Sequence, residues 1–169
     1  YTAVVRNFKD HGVRVVVGSP GCAGKIATWV KAGSGTLREH NLNLCALRDI
    51  GIGIAEREEV RFADIFWPMY QSQIFAPGQH NATEERPYHV AGSDGIHPGW
   101  AGHVIMAYAF LRSMGLDGNL GRITVDWTKQ KASASKGHTV DSVANGKVTI
   151  TSSRLPFCAS GDESSDSSI

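Results

Sequence analysis

An aspartate and a histidine stand three positions apart in the segment SDGIHPGW, residues 93–100. Asp94 and Gly95 favour a tight turn, and at the two ends of such a turn the Asp94 carboxylate can reach one ring nitrogen of His97. The carboxylate would fix the imidazole tautomer, while the other nitrogen takes a proton from a hydroxyl group. The pair therefore has the chemistry of a general base. From the spacing alone, a turn with a histidine at a helix start is the competing interpretation.

A helix is predicted directly after this pair, over residues 98–114. Pro98 suits the first position of a helix, where its missing N–H costs nothing. We expect one face of this helix to dock on a sheet and so to hold His97 rigid. The residues predicted on that face are Ala101, Val104, Ile105, Tyr108, Leu111 and Met114.

The block AGSDGIHPGWAGHVIMAYAFLRSMGL, residues 91–116, resembles the last conserved block of the SGNH (GDSL-type) hydrolases. In that family an Asp-x-x-His pair near the C-terminal end supplies two members of a Ser-His-Asp triad, and a proline and a helix with a glycine follow. Asp94 and His97 match the pair, and Pro98 and Gly102 match the positions that follow. The resemblance implies that Asp94 and His97 are catalytic residues of a serine ester hydrolase.

The nucleophile of that family is not found in this sequence. The family carries its serine in a Gly-Asp-Ser motif and an oxyanion-hole asparagine in a Gly-x-Asn-Asp motif, and neither motif occurs here. The chain resembles the second half of such an enzyme, so an upstream segment or a partner chain would supply the serine and the oxyanion donors. The expected substrate is an acylated carbohydrate or a small acyl ester, because no long apolar loop suggests a lipid groove.

Ser19 is the alternative nucleophile within the chain. It follows an apolar run at residues 13–19, a predicted strand, and open α/β sheets bind ligands beyond the carboxyl ends of their strands. The nucleophile elbow Gly-x-Ser-x-Gly is not formed, because Val17 stands in place of its first glycine and Pro20 follows the serine. We therefore interpret Ser19 as a turn residue.

The order of predicted elements indicates an α/β fold. A helix is predicted over residues 2–11, before the strand at 13–19. A second helix begins at a capping box formed by Thr36 and Glu39 and extends to about Glu59. A second strand is predicted over residues 61–66. The resemblance implies the C-terminal half of a three-layer α/β/α sandwich, a doubly wound parallel sheet of about five strands of which this chain supplies two. The predicted hydrolase half covers residues 1–116.

A long loop is predicted from Trp67 to Ser93, interpreted as a lid or rim of the substrate site. Trp67 and Tyr70 would either wall a pocket or pack on their own loop, and the sequence leaves both open. Asn81-Ala82-Thr83 fits the acceptor pattern for N-glycosylation.

The last part of the chain is predicted to form a small β appendage over residues 117–158, followed by a mobile polar tail over 159–169. Its predicted strands are residues 120–127, 131–135, 138–143 and 147–152, with Asn145-Gly146 as a hairpin turn. The appendage would brace the core or add a wall to the substrate cleft. A second hypothesis makes the chain a non-catalytic carbohydrate-binding or interaction subunit that binds through this appendage.

The amino-acid composition argues against several functional classes of protein. The formal net charge of +1 argues against a dedicated nucleic-acid or membrane-surface binder, and no apolar run approaches the roughly 18 residues of a membrane span. Cys22, Cys45 and Cys158 have no metal-binding spacing, and we expect free thiols, although one disulfide is feasible. No cofactor is expected. A metal site formed by His89, Asp94 and His97 is a third and weaker hypothesis, and the cellular location stays open, secretion and the periplasm included.

Overall fold

The computed structural model describes residues 1–29 and 35–154, which fall into two units. The α/β unit comprises Tyr1–Leu116, and the β unit begins at Asp117. The predicted polar tail and Cys158 lie outside the described residues. Within the described ranges, no helix has both the length and the apolar character that a membrane crossing needs.

The α/β unit is built on two short parallel strands, β1 (Val16–Gly18) and β2 (Arg61–Ala63), with Val17 opposite Phe62. Parallel pairing of the two predicted strands confirms the α/β class, although both strands are shorter than predicted. The helices of this unit are α1 (Thr2–Asp10), α2 (Leu37–Arg57), α3 (Phe66–Gln79) and α4 (Trp100–Ser113).

Helices cover both faces of this pair of strands. Val17 packs with Val5 of α1 and Ile54 of α2, whereas the preceding Val16 packs in a cluster that includes Ala109 of α4. Successive side chains of a strand point to opposite faces, so the two clusters lie on the two sides of the sheet. Val17 and Val16 thus belong to two separate clusters on opposite faces of the strand pair.

The predicted capping box at the start of α2 is confirmed. The Thr36 hydroxyl accepts a hydrogen bond from the Glu39 backbone N–H at 3.2 Å, and the Glu39 carboxylate accepts one from the Thr36 N–H at 2.7 Å. This backbone donor, together with the Thr36 hydroxyl, lowers the pKa of Glu39.

Further along α2 the side chain of Ile54 is buried, whereas the side chain of Leu47 is 54% exposed.

The long loop predicted from residue 67 is wrong in its first half, because α3 occupies Phe66–Gln79. Pro68 is the third residue of α3, where a backbone N–H has no acceptor within the helix. Pro77 lies in the last turn, so it removes a single helical hydrogen bond. Both prolines are thus compatible with a helix, and the strand predicted over residues 61–66 ends at Ala63 instead.

The helix after the Asp/His pair differs from the prediction in its start and in its buried face. It begins at Trp100 with Gly99 as its N-cap, so Pro98 precedes the helix instead of opening it. Tyr108, Leu111 and Met114, predicted to be buried, are exposed. Three small residues of the helix, Ala101, Gly102 and Ala109, are buried and let the backbone approach its neighbours. The larger side chains that pack beside them are Ile105, Met106 and Phe110.

The β unit consists of two antiparallel pairs of strands. β3 (Ile123–Asp126) pairs with β4 (Lys131–Ala134), and β5 (His138–Ala144) pairs with β6 (Lys147–Ser152). Asn145 and Gly146 join β5 to β6 with φ angles of 53° and 72°. Two positive φ angles are typical of a type I′ turn, so the predicted hairpin is confirmed.

Candidate active site

The Asp94 carboxylate and the His97 imidazole are directly hydrogen-bonded. His97 Nδ1 lies 2.6 Å from Asp94 Oδ2, while Asp94 Oδ1 accepts the backbone N–H groups of Ile96 and His97, each at 2.8 Å. The aspartate therefore closes the turn through its own backbone neighbours and orients the imidazole at the same time. The structure brings the two predicted site residues together.

The environment of Asp94 keeps its carboxyl group ionised. The backbone N–H of His97, then its imidazole, then the backbone N–H of Ile96 hold the pKa of the Asp94 carboxyl well below its usual range. An ionised carboxylate only accepts hydrogen bonds, so Nδ1 of His97 is the donor, and in the neutral imidazole this tautomer places the lone pair on Nε2. The His97 side chain is 76% exposed, which leaves Nε2 accessible to a reacting group.

The loop that follows β1 holds this turn from one side. The Gly24 N–H donates to the Gly95 carbonyl at 2.8 Å, and a Cβ on Gly95 would lie 2.6 Å from the Lys25 backbone nitrogen. The buried Asn41 amide of α2 exchanges two hydrogen bonds with the Ala23 backbone, at 2.8 and 2.9 Å. A chain of contacts thus runs from α2 through this loop to the Asp94 turn.

Helix α3 holds the turn from the other side. The Gln73 side-chain oxygen accepts the Ala91 N–H at 2.9 Å, next to the fully buried Val90. Gly92 follows with a φ of +86°, and a Cβ there would lie 1.8 Å from the His97 carbonyl oxygen. Only glycine fits this position, because the backbone conformation and the close approach both exclude a side chain.

Gly102, which matched the hydrolase block, is also a packing residue. A Cβ at this position of α4 would lie 2.5 Å from the Val90 carbonyl oxygen and 2.6 Å from the Pro98 Cβ. The absence of a side chain lets the helix approach the segment that carries Asp94 and His97. The glycine therefore positions the pair through the backbone and has no chemical role of its own.

Ser19 serves the fold and not the chemistry. It is buried, and its hydroxyl accepts the N–H groups of Ile65 at 2.8 Å and Phe66 at 2.9 Å while donating to the Pro20 carbonyl at 3.0 Å. Through these bonds Ser19, the residue that follows β1, caps the N-terminus of α3. The hydroxyl is fully engaged, so its assignment as an alternative nucleophile has no support in the structure.

Sequence reasoning missed Trp29, the aromatic neighbour of the pair. Its indole ring stacks on the His97 imidazole, with ring centroids 5.9 Å apart and planes inclined by 26°. Nothing in the local sequence signalled this contact. Trp67 and Tyr70, considered as pocket walls, pack edge-to-face against each other at 6.0 Å on α3. Both also line a small pocket of about 130 Å³ between α3 and α2.

The other candidate metal ligands and the two described cysteines do not form a common site in the described part of the chain. Among residues 1–29 and 35–154, no three histidine, cysteine, aspartate or glutamate side chains cluster to hold a metal ion, so the hypothesis of a site with His89 has no support. His103 is exposed, and its Nδ1 bonds the Gly99 carbonyl at 2.9 Å. Cys22 and Cys45 are free thiols, and burial raises the pKa of Cys22 to about 11.

The fold of this chain is similar to part of a known enzyme structure. No family model and no curated protein sequence matches the chain. A gut microbial diltiazem-metabolizing enzyme aligns over 82% of this chain with 22% identity and a TM-score of 0.60. The chain spans 30% of the length of that enzyme, so the likeness is one of fold over part of a longer protein. Two mutants of an acetyl-xylooligosaccharide esterase from Geobacillus stearmophilus align over 68% of this chain and 43% of theirs, with 21% identity and a TM-score of 0.44.

Proposed function

We propose that this chain supplies the acid–base pair of an SGNH-type serine ester hydrolase, as the C-terminal half of a doubly wound α/β sandwich. The single observation that carries the proposal is the 2.6 Å hydrogen bond from His97 Nδ1 to an ionised Asp94, with Nε2 exposed. The resemblance of residues 91–116 to the last block of that family agrees with this geometry.

In the proposed reaction, His97 Nε2 takes the proton of a serine hydroxyl as the serine oxygen attacks the ester carbonyl carbon. Asp94 stabilises the resulting imidazolium through the hydrogen bond to Nδ1. The imidazolium then protonates the leaving alkoxide, and an acyl-serine remains. The same nitrogen then takes a proton from a water molecule as the water oxygen attacks the acyl carbon. The bond between the acyl carbon and the serine oxygen breaks, the imidazolium returns the proton to the serine oxygen, and the free acid leaves.

The serine and the oxyanion donors come from a segment or a partner chain outside residues 1–169. The outer edge of β1 supports this part of the proposal, because β1 pairs only with β2 among the described residues. A groove of about 280 Å³ lies along β1 beside Leu47 and Ile50, which are 54% and 58% exposed. A further parallel strand with its crossover helix would complete the sheet and cover these side chains.

The substrate we propose is an acylated carbohydrate or a small acyl ester. Trp29 supports the carbohydrate alternative, because its indole lies beside His97 and is 54% exposed. Flat aromatic surfaces with a few polar groups are typical of small-molecule sites.

The acid–base roles are tested by Asp94→Asn and His97→Ala in the complete protein, with hydrolysis of an aryl acetate as the measurement. By analogy with other triads, we expect each substitution to lower turnover by on the order of 10⁴-fold. His103→Ala is the matched control, since His103 is an exposed histidine on the adjoining helix and should keep normal turnover. Normal turnover by both site variants would overturn the assignment.

The division of the triad is tested separately with a fluorophosphonate, which reacts with activated serines. We expect the complete protein to be labelled at a serine outside residues 1–169, and labelling to fall in His97→Ala. Peptide mapping by mass spectrometry locates the adduct. An adduct on a serine within residues 1–169 would refute the proposal that the nucleophile lies outside this chain. The roles of Asp94 and His97 would still be decided by the hydrolysis assay.

A further inference from the structure

The β unit contains a cleft of about 480 Å³ that has no place in the proposed hydrolysis. Its volume lies in the range of small-molecule sites and exceeds that of a single inorganic anion. The cleft has three cationic and no acidic side chains in its lining. The lining residues are Asn119, Gly121, Arg122, Ser135, Lys136 and Arg154.

Two hydrogen bonds join Arg122 and Ser135, which both line this cleft. The Arg122 N–H donates to the Ser135 hydroxyl at 2.8 Å, and the Ser135 N–H donates to the Arg122 carbonyl at 2.9 Å. Gly121, with a φ of +89°, allows the close approach of Ser135 and His138. Arg122 and Lys136 are thus brought to the same opening by the ends of β3 and β4.

The third cation is held in place by its own contacts. Arg154 donates from Nη1 to the Asn119 carbonyl at 2.8 Å, and its side chain lies over Gly137, where a Cβ would meet Nε at 2.7 Å. The remaining N–H groups of the guanidinium are available to a ligand. A guanidinium fixed in this way loses less conformational entropy when it binds an oxyanion.

None of the three cations has an acidic partner within the described residues. Residues 117–154 contain six lysines and arginines and three aspartates, a formal charge of +3. Each aspartate is engaged elsewhere: Asp117 accepts the Asn119 N–H, Asp126 pairs with Lys129, and Asp141 accepts the Thr151 hydroxyl. Three like charges around one cleft repel each other, and a bound anion would turn that repulsion into attraction.

We propose that this cleft binds an acidic saccharide, a sugar that carries a carboxylate or sulfate group. The oxyanion would lie between Arg122, Lys136 and Arg154, and the Ser135 hydroxyl and the Asn119 amide would face the sugar hydroxyls. The uncharged polar lining and the volume favour a saccharide over a free anion. This inference does not depend on the proposed hydrolysis, because it uses no residue of the Asp94/His97 site.

The test is a titration of the chain with trigalacturonate, followed by the amide NMR signals and by calorimetry. We expect saturable shifts at Gly121, Arg122, Ser135 and Lys136. Arg122→Gln and Lys136→Gln should each weaken binding about tenfold, the loss of one charge-assisted hydrogen bond. Lys147→Gln removes one charge from the same unit outside the cleft and should leave the affinity unchanged.

The controls distinguish specific binding of a saccharide from attraction of any anion by positive charge. Equal loss of affinity in Lys147→Gln and Arg122→Gln would mean that net charge alone attracts the ligand, which overturns the proposal. Binding of neutral xylotriose as tight as that of trigalacturonate would overturn the role of the cations. If inorganic sulfate binds as tightly as trigalacturonate, the proposal of a saccharide site is wrong and the cleft is a simple anion site. The far-ultraviolet circular dichroism of each variant confirms folding, because the Arg122 and Lys136 side chains make no described hydrogen bond.

Discussion

The indole of Trp29 stacks with the His97 imidazole, with the two ring centroids 5.9 Å apart. His97 is otherwise largely exposed, and the hydrogen bond to Asp94 fixes the position of Nδ1 without covering the ring. We expect this stack to oppose rotation of the imidazole about the axis that the Asp94 bond leaves free. A nitrogen held in one direction is what a general base needs for repeated proton transfer.

Replacing Trp29 with alanine should loosen this ring. We expect the His97 ring proton signals to shift in the NMR spectrum, because the indole ring current is lost, and turnover of the complete protein to fall about fivefold, the equivalent of about 1 kcal/mol for an aromatic contact. Trp29→Phe should retain most of the turnover. Trp127→Ala, at an exposed tryptophan of the β unit, is the control. Unchanged His97 signals in Trp29→Ala would show that the rings are not stacked in solution.

Ser19→Ala should affect stability and not chemistry. The substitution leaves the buried N–H groups of Ile65 and Phe66 without their acceptor, a loss of about 1–3 kcal/mol in the free energy of unfolding. Urea denaturation measures this change, with Ser133→Ala on the exposed side of β4 as the control. Loss of fluorophosphonate labelling or of hydrolysis in a folded Ser19→Ala protein would instead make Ser19 a nucleophile.

Gly102→Ala and Gly78→Ala are expected to change stability in opposite directions. A Cβ on Gly102 would meet the Val90 carbonyl at 2.5 Å, so the helix must shift at a cost of about 1–3 kcal/mol. A Cβ on Gly78 meets nothing within 4 Å, so this alanine should stabilise α3 by about 0.5–1 kcal/mol. Thermal unfolding of the two variants distinguishes them, and a stabilising Gly102→Ala would refute the close approach of α4 to Val90.

The stability of the chain should depend on pH through Asp94. Because its pKa is lower in the folded chain than the value of about 3.9 in an unfolded chain, the ionised carboxylate stabilises the fold above about pH 4. This contribution is lost as the pH falls further, toward the folded-state pKa. Asp94→Asn should therefore have a smaller decrease in the free energy of unfolding between about pH 5 and pH 2 than the natural chain.

The matched control for this pH dependence is Glu84→Gln, a carboxylate on the exposed segment after α3. It should leave the profile unchanged, because the Glu84 carboxylate makes no described hydrogen bond or ion pair. Parallel curves for Asp94→Asn and the natural chain would show that the hydrogen bonds to Asp94 do not form in solution.

Sequence by itself determined the features that depend on near neighbours. The capping box of Thr36 and Glu39 and the Asn145-Gly146 turn form as predicted, because the interacting groups lie within four residues of each other. The Asp94/His97 pair belongs to the same class, since a three-residue spacing in a turn is enough to join them. The catalytic meaning of the pair still rests on the proposed function.

Tertiary structure alone decided the contacts between distant parts of the chain. Ser19 caps α3 across 47 positions, and Trp29 reaches His97 from the loop after β1. Helix α3 itself was missed because a proline in a terminal turn has the same sequence signal as a proline in a loop. The buried face of α4 was set by how closely Gly102 lets it approach Val90, which hydrophobic periodicity does not record. Such contacts depend on the packing of all the elements together, and no short segment contains that information.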